Sequence, residues 1–234
     1  MSHLWDAAVG VAYDLVTGLT SALTPVAGGL AAAVAIVVFT ACVRLALLPL
    51  SRRQARAGKA RLRLEPRARK IRERHRADPV RAHQELTSLY RAEGTSMWAG
   101  IGPSLLQLPV FSIVYRMFLS PAVGGHANLL LTHTLAGAPL GERWLFAASA
   151  FGPHGLVFLA LFAALAAVAW WTSRTMYRYQ ASPPGALGTV MRVIPFATLA
   201  VAAYVPLAAG LYLLTTTVWT AAERALLWRT PTTV

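Results

Sequence analysis

Charged residues are scarce in this sequence. Asp, Glu, Lys and Arg make up 13% of its 234 residues, against 56% hydrophobic residues and a mean hydropathy of +0.51, whereas a soluble domain usually carries about 25% charged residues. Too little polar surface remains to wrap a water-soluble globule, so the apolar excess has to face lipid. Acids are scarcer still, nine against 22 Lys and Arg, and within the apolar spans none occurs before Glu223. That argues against a carboxylate relay of the kind ion pumps use. A single cysteine, Cys42, excludes an internal disulfide, and six scattered histidines without ligand spacing argue against a metal centre. No P-loop, GxSxG or HExxH occurs. Neither a cofactor nor enzymatic chemistry is expected.

What the chain has instead is apolar runs separated by basic blocks. Residues 1–27 lack a Lys/Arg-rich secretory start and are expected to stay uncleaved. There Leu4, Trp5, Ala8, Ala12, Leu15, Val16 and Leu19 recur at helical steps while Asp6 and Asp14 fall elsewhere, which predicts an amphipathic helix lying in the extracytoplasmic interface. A first span is expected at 28–50; Gly29 to Leu50 would give about 33 Å of helix. Residues 51–96 read as a basic cytoplasmic helical hairpin, broken at Asp78-Pro79 and closed by Gly94. Fourteen of the 22 basic residues lie in it. A block of that kind between apolar runs fits the positive-inside rule and anionic headgroups better than nucleic acid as a primary ligand.

A second span is expected at 97–119, despite Pro103 and Pro109. An extracytoplasmic loop with a short interfacial helix follows at 120–153, then a span at 154–173 closed by Trp170 and Trp171, then a cytoplasmic loop at 174–187. One straight helix over residues 193–222 would run about 45 Å and leave Arg192 and Arg224 on opposite sides of the membrane. Two spans, 188–204 and 206–228, turning near Tyr204-Val205-Pro206 and followed by a tail at 229–234, keep both basic ends inside. The predicted fold is an all-α integral membrane protein with five transmembrane helices, N-terminus out and C-terminus in.

Arg44 is the anomaly in the first span. It lies eight residues, about 12 Å of helix, before Arg52, and an arginine near the bilayer centre costs roughly 2.5–3.5 kcal/mol on insertion scales. It needs a wet cavity, a partner, or room to extend towards the headgroups. The side chains that could line such a cavity are polar and uncharged: Thr40 one turn earlier, Ser104 and Gln107 on the second span, and Tyr212, Thr215, Thr216 and Thr217 on the last. Any one of them also suits a plain packing role, bonding a neighbouring backbone.

These residues fall in segments that resemble a known family. The runs VRLALLPLSRRQ (Val43 to Gln54), LYRAEG (Leu89 to Gly94), GPSLLQLPVFSIVYR (Gly102 to Arg116), MRVIP (Met191 to Pro195) and VPLAAGLYLLTTTVW (Val205 to Trp219) are similar to the YidC/Oxa/Alb membrane protein insertases, in order and with fitting spacing. The resemblance implies a five-helix bundle around a hydrophilic groove open to the cytoplasm and to lipid, with Arg44 as the groove arginine, Gln107 and Tyr212 at groove-lining positions, and Thr40 preceding the arginine as in many members. Ser104 and Thr216 complete the expected client-binding set. The last helix departs from the family pattern, with Leu213 in place of an aromatic residue, Thr217 in place of Asn and Glu223 in place of Gln, and Ser96-Met97 stands where Asn-Pro is common.

The implied clients are nascent membrane proteins, with the anionic bilayer surface as a second partner for hairpin residues such as Arg52, Arg53, Arg72 and Arg74. A Sec-type translocon and the ribosome are further candidate partners, although RTPTTV after Trp228 is a short tail for ribosome binding. A small anion channel or transporter with Arg44 as its selecting charge is the rival reading. It lacks the internal repeat on which many transporters are built.

Overall fold

The computed structural model describes residues 2–94, 112–123, 125–146, 152–179 and 193–229. Ser104, Gln107, most of the expected second span, the start of the fourth and the tail lie outside the described residues. The described chain is mostly helical: α1 Ser2–Ala27, α2 Ala31–Ala46, α3 Leu48–Arg74, α4 Pro79–Ala92, α5 (residues 112–119), α6 Pro153–Tyr179, α7 Ala197–Tyr204 and α8 Leu207–Arg229.

Between α1 and α2 the chain turns at Gly28, whose φ of +52° only glycine adopts without strain, and α1 then packs on α2 more extensively than any other pair of helices. Val9, Ala12, Val16 and Thr20 face that contact; Trp5 and Leu15, which the periodicity puts on one apolar face, are exposed. The run of small residues at the start of α2, Ala31, Ala32, Ala33 and Ala35, is buried and lets its neighbours approach closely. One core joins α1, α2, α5, α6, α7 and α8, with Ile36, Met117, Phe118, Phe158 and Leu165 almost wholly enclosed.

Two helical stretches are long and apolar enough to cross a membrane, Trp5–Ala46, taken through the turn at Gly28, and His154–Thr175; Ile194–Tyr204 is a shorter apolar helix. Helix α8 has the length, but its threonines, Glu223 and Arg224 dilute its hydropathy. At its far end α6 carries Trp170 and Trp171, both exposed, with the Arg174 guanidinium 4.2 Å above the Trp170 ring. That arrangement suits a headgroup boundary.

Helices α3 and α4 form a hairpin. Pro79 occupies the first turn of α4, and the Asp78 carboxylate accepts a 3.0 Å hydrogen bond from the Arg81 amide, capping the helix. Leu64 and Ala68 meet Leu86 and Tyr90 in a small core of their own. Arg67 to Glu93 at 3.1 Å, Arg72 to Glu65 at 2.9 Å and Arg69 to Glu73 at 2.8 Å are exposed pairs that add little. Asp78→Ala should remove about 1 kcal/mol of local stability, so amide exchange in the first turn of α4 should speed up about fivefold. Unchanged exchange there would show that the cap does not hold the helix start.

The segment from 120 to 146 carries no α-helix among its described residues. It holds two antiparallel ribbons, Ala122–Val123 with His126–Ala127 and Thr134–Leu135 with Ala138–Pro139, and 3-10 turns at Leu129–Thr132 and Trp144–Phe146. The second ribbon turns on Ala136 and Gly137, both at positive φ, as a two-residue hairpin requires. This segment ties one end of the bundle together. Asn128 Nδ2 donates to the carbonyls of Met117 and Ser120 at 2.8 and 3.0 Å, closing the end of α5. The carbonyls of Glu142 and Leu140 accept from the Leu207 and Ala208 amides, both at 2.9 Å, satisfying the first turn of α8 that Pro206 leaves open. Tyr13 of α1 accepts from the Leu129 amide, and Phe146 and Trp144 stack edge-on against Tyr204 and Phe162.

Candidate functional site: a polar cluster at Arg44

Arg44 stands in the last turn of α2, where the partial negative charge of the helix end favours a cation. Its side chain is half-buried, and no carboxylate pairs with it among the described residues. Helix α8 packs along α2 and sets Tyr212 close enough for Arg44 to act on its hydroxyl electrostatically. Tyr212 is buried, its ring 6.1 Å from Phe118 of α5, and its hydroxyl turns towards Thr216 one helical turn on.

The threonines divide according to where their hydroxyls go. Thr40 is buried and donates to the Ile36 carbonyl at 2.7 Å; Thr215 donates to Leu211 and Thr217 to Leu213, at 2.8 and 2.9 Å. Their protons are committed to their own helices, the packing role open to any such residue. Thr216 differs. Its Oγ1 is buried and has no hydrogen bond of good geometry. The structure therefore brings Arg44, Tyr212 and Thr216 together, with Thr40 adjoining on α2, while Ser104 and Gln107 lie outside the described residues. Thr216 lies four residues after Tyr212 and so on the same face of α8, whereas Thr215 and Thr217 point to either side of it.

In the hairpin, Arg52, Arg53 and Arg74 are exposed, whereas Arg72 is engaged by Glu65. Arg52, Arg56, Lys59, Arg63, Arg67, Lys70 and Arg74 follow one another at steps of three and four and so share one face of α3. Glu93 from α4 neutralises part of that face through Arg63 and Arg67.

Comparison with known proteins bears on what such a cluster does. The model of the family described as the 60Kd inner membrane protein matches residues 23–232. The chain belongs to this family. Among its relatives, the membrane protein insertase YidC of Zymomonas mobilis is 28% identical over 187 residues, 79% of this chain and 31% of the relative. That of Acidiphilium cryptum is 36% identical over 126 residues, 53% of this chain and 21% of the relative. That of Granulibacter bethesdensis is 40% identical over 95 residues, 40% of this chain and 16% of the relative. The matches thus span about a sixth to a third of the length of these relatives. Membership in the 60Kd inner membrane protein family agrees with the family resemblance carried by the motifs from Val43 to Trp219. None of these relatives is named a channel or transporter.

Proposed function

We propose that this protein is an insertase that helps hydrophobic segments of nascent membrane proteins enter the bilayer of the bacterial cytoplasmic membrane. The family match, which reaches from 23 to 232 and so takes in Arg44, Tyr212 and Thr216, is the observation that carries this reading. In it the chain crosses the membrane five times, N-terminus out and C-terminus in, and its polar cluster is the centre of a groove open to the cytoplasm. The knitted segment 120–146 closes the opposite end.

A client with a short polar flank has to bring it across about 30 Å of hydrocarbon, where each charged group costs several kcal/mol. A wet groove reaching part way thins that barrier. Arg44 holds an acidic or polar flank for a time, Tyr212 and Thr216 offer hydroxyls to it, and the client's apolar helix then leaves into lipid. Burial of that helix, worth about 25 cal/mol per Å², drives the last step. No nucleotide or covalent step is involved. The basic face of α3, with Arg52, Arg56 and Arg74 exposed, rests on anionic headgroups at the cytoplasmic surface, with Arg53 beside it. A Sec-type translocon or a translating ribosome would deliver clients to that side.

Depletion of the protein followed by protease protection of small membrane proteins with short translocated ends tests the reading. Failure of insertion, restored by the wild-type protein, is expected; unaffected insertion would dismiss it. Thr216→Val separates function from packing. Removing the buried hydroxyl at constant shape gives up only its contact with the Tyr212 hydroxyl, so the melting temperature should fall slightly at most, while insertion falls several-fold. Loss of stability together with insertion would assign Thr216 to the fold alone.

A further inference from the structure

Away from the polar cluster, on the side of the bundle where α6 and α8 run together, lies a pocket of about 440 Å³. Its walls are hydrocarbon: Leu156 and Ala160 of α6, Leu211 and Leu214 of α8, and Leu135 and Ala136 at the tip of the second ribbon. No hydroxyl, amide or charge lines it, so water would find no partners there; a dry apolar cavity of only about 150 Å³ already takes up benzene. Leu156, at the mouth, is 69% exposed. In a chain with these helices in a membrane the surroundings of that mouth are lipid tails, and the void will not stay empty.

We propose that this pocket binds a single acyl chain of a phospholipid in the outer leaflet. Its dimensions select a chain over a helix. From Leu207 to Leu214 the wall rises about 10 Å along α8, long enough for part of an extended chain. A transmembrane helix, about 10 Å across with its side chains, could lie against the mouth but not enter. The upper edge coincides with a polar boundary: Gly137, next to Ala136, lies against the His154 ring, and His154 Nδ1 is 3.6 Å from the Glu142 carboxylate. A chain entering there keeps its headgroup at the level of that pair. A Cβ at Gly210 would come within 2.7 Å of Leu161 Cδ2, so the Leu161 side chain of α6 packs directly on the backbone of α8 at the glycine.

The site is independent of the insertase activity, since it needs only a membrane around the bundle; its assignment to the outer leaflet rests on the topology proposed above. The test uses the intact protein in vesicles of phosphatidylethanolamine and phosphatidylglycerol doped with a phospholipid carrying a photoactivatable diazirine on its acyl chain. Labelled peptides are then mapped by mass spectrometry. Labelling concentrated on residues 156–161 and 207–214 is expected, reduced at least fivefold by Ala160→Trp, which fills the pocket, and by Leu156→Trp, which blocks the mouth without entering the core. Labelling near the exposed Leu226 should not change in either variant. Uniform labelling of all lipid-facing helices, or pocket labelling that survives both substitutions, would overturn the proposal. So would displacement of the lipid label by an excess of a hydrophobic client peptide that itself crosslinks to the pocket, because the occupant would then be a polypeptide.

Discussion

Arg44→Glu should abolish insertion, Arg44→Lys should keep much of it, and Arg44→Ala should fall between the two. The order follows from the surroundings of the side chain. Among the described residues no carboxylate neutralises Arg44, and across the α2 and α8 contact the Tyr212 hydroxyl is close enough to feel its charge. The positive charge is therefore available to an incoming acidic or polar group. Lysine keeps that charge but loses the planar fork of donors. Alanine leaves the hydroxyls in a smaller polar site, whereas glutamate reverses the field and repels the flanks the site has to attract. A loss of tenfold or more in Arg44→Glu corresponds to at least about 1.4 kcal/mol of client binding, a modest demand for reversing a charge close to a client's flank. The readout is the fraction of a short-tailed client protected from external protease in cells carrying only the variant. Full activity in Arg44→Ala would remove the electrostatic part of the mechanism.

The largest effect on stability is expected at Asn128, in the segment that closes the other end of the bundle. Its side chain is almost wholly buried and donates to two carbonyls at the end of α5. Asn128→Ala strands both acceptors, the Met117 carbonyl in a buried and the Ser120 carbonyl in a part-buried position, and a stranded buried group costs about 1–3 kcal/mol. A total loss of about 2–4 kcal/mol should appear as a marked fall in the melting temperature of the detergent-solubilised protein. Asn128→Asp should do at least as badly, because an ionised carboxylate has no donor to offer the same two carbonyls. If both variants melt like the wild type, water reaches this end of the bundle and the segment does not seal it.

These two residues mark what was legible in the sequence and what was not. Arg44 stood out because a guanidinium within an apolar run is expensive wherever the run folds, and the flanking motifs were enough to recognise the family. The apolar run from Gly155 to Thr172 likewise lies within one helix, α6, since lipid imposes one solution on a long run of that composition. Asn128, by contrast, lies in a stretch that reads only as an extracytoplasmic loop with a short interfacial helix. Its role depends on the chain returning over the end of α5, and no local pattern encodes that return. The two short ribbons were missed for a related reason. Their pairs are two residues long and are set by Ala136 and Gly137 at positive φ rather than by alternating hydrophobicity. Because α1 is apolar on more than one side, packing against α2 takes Val9, Ala12 and Val16 and leaves Trp5 and Leu15 outside that contact.

The central claim is that clients pass through the polar cluster between α2 and α8. It is tested most directly by placing a photocrosslinking amino acid at Thr216 and, as a control, at the exposed Val218, and illuminating cells while a short-tailed client is held at an intermediate of insertion. Crosslinks from position 216 to the polar flank of the client, weakened in an Arg44→Glu background and absent from the wild-type protein without the label, are the predicted result. Client crosslinks confined to position 218, with none from 216, would mean that insertion proceeds along the lipid-facing surface and that the cluster at Arg44 is part of the fold rather than its working site.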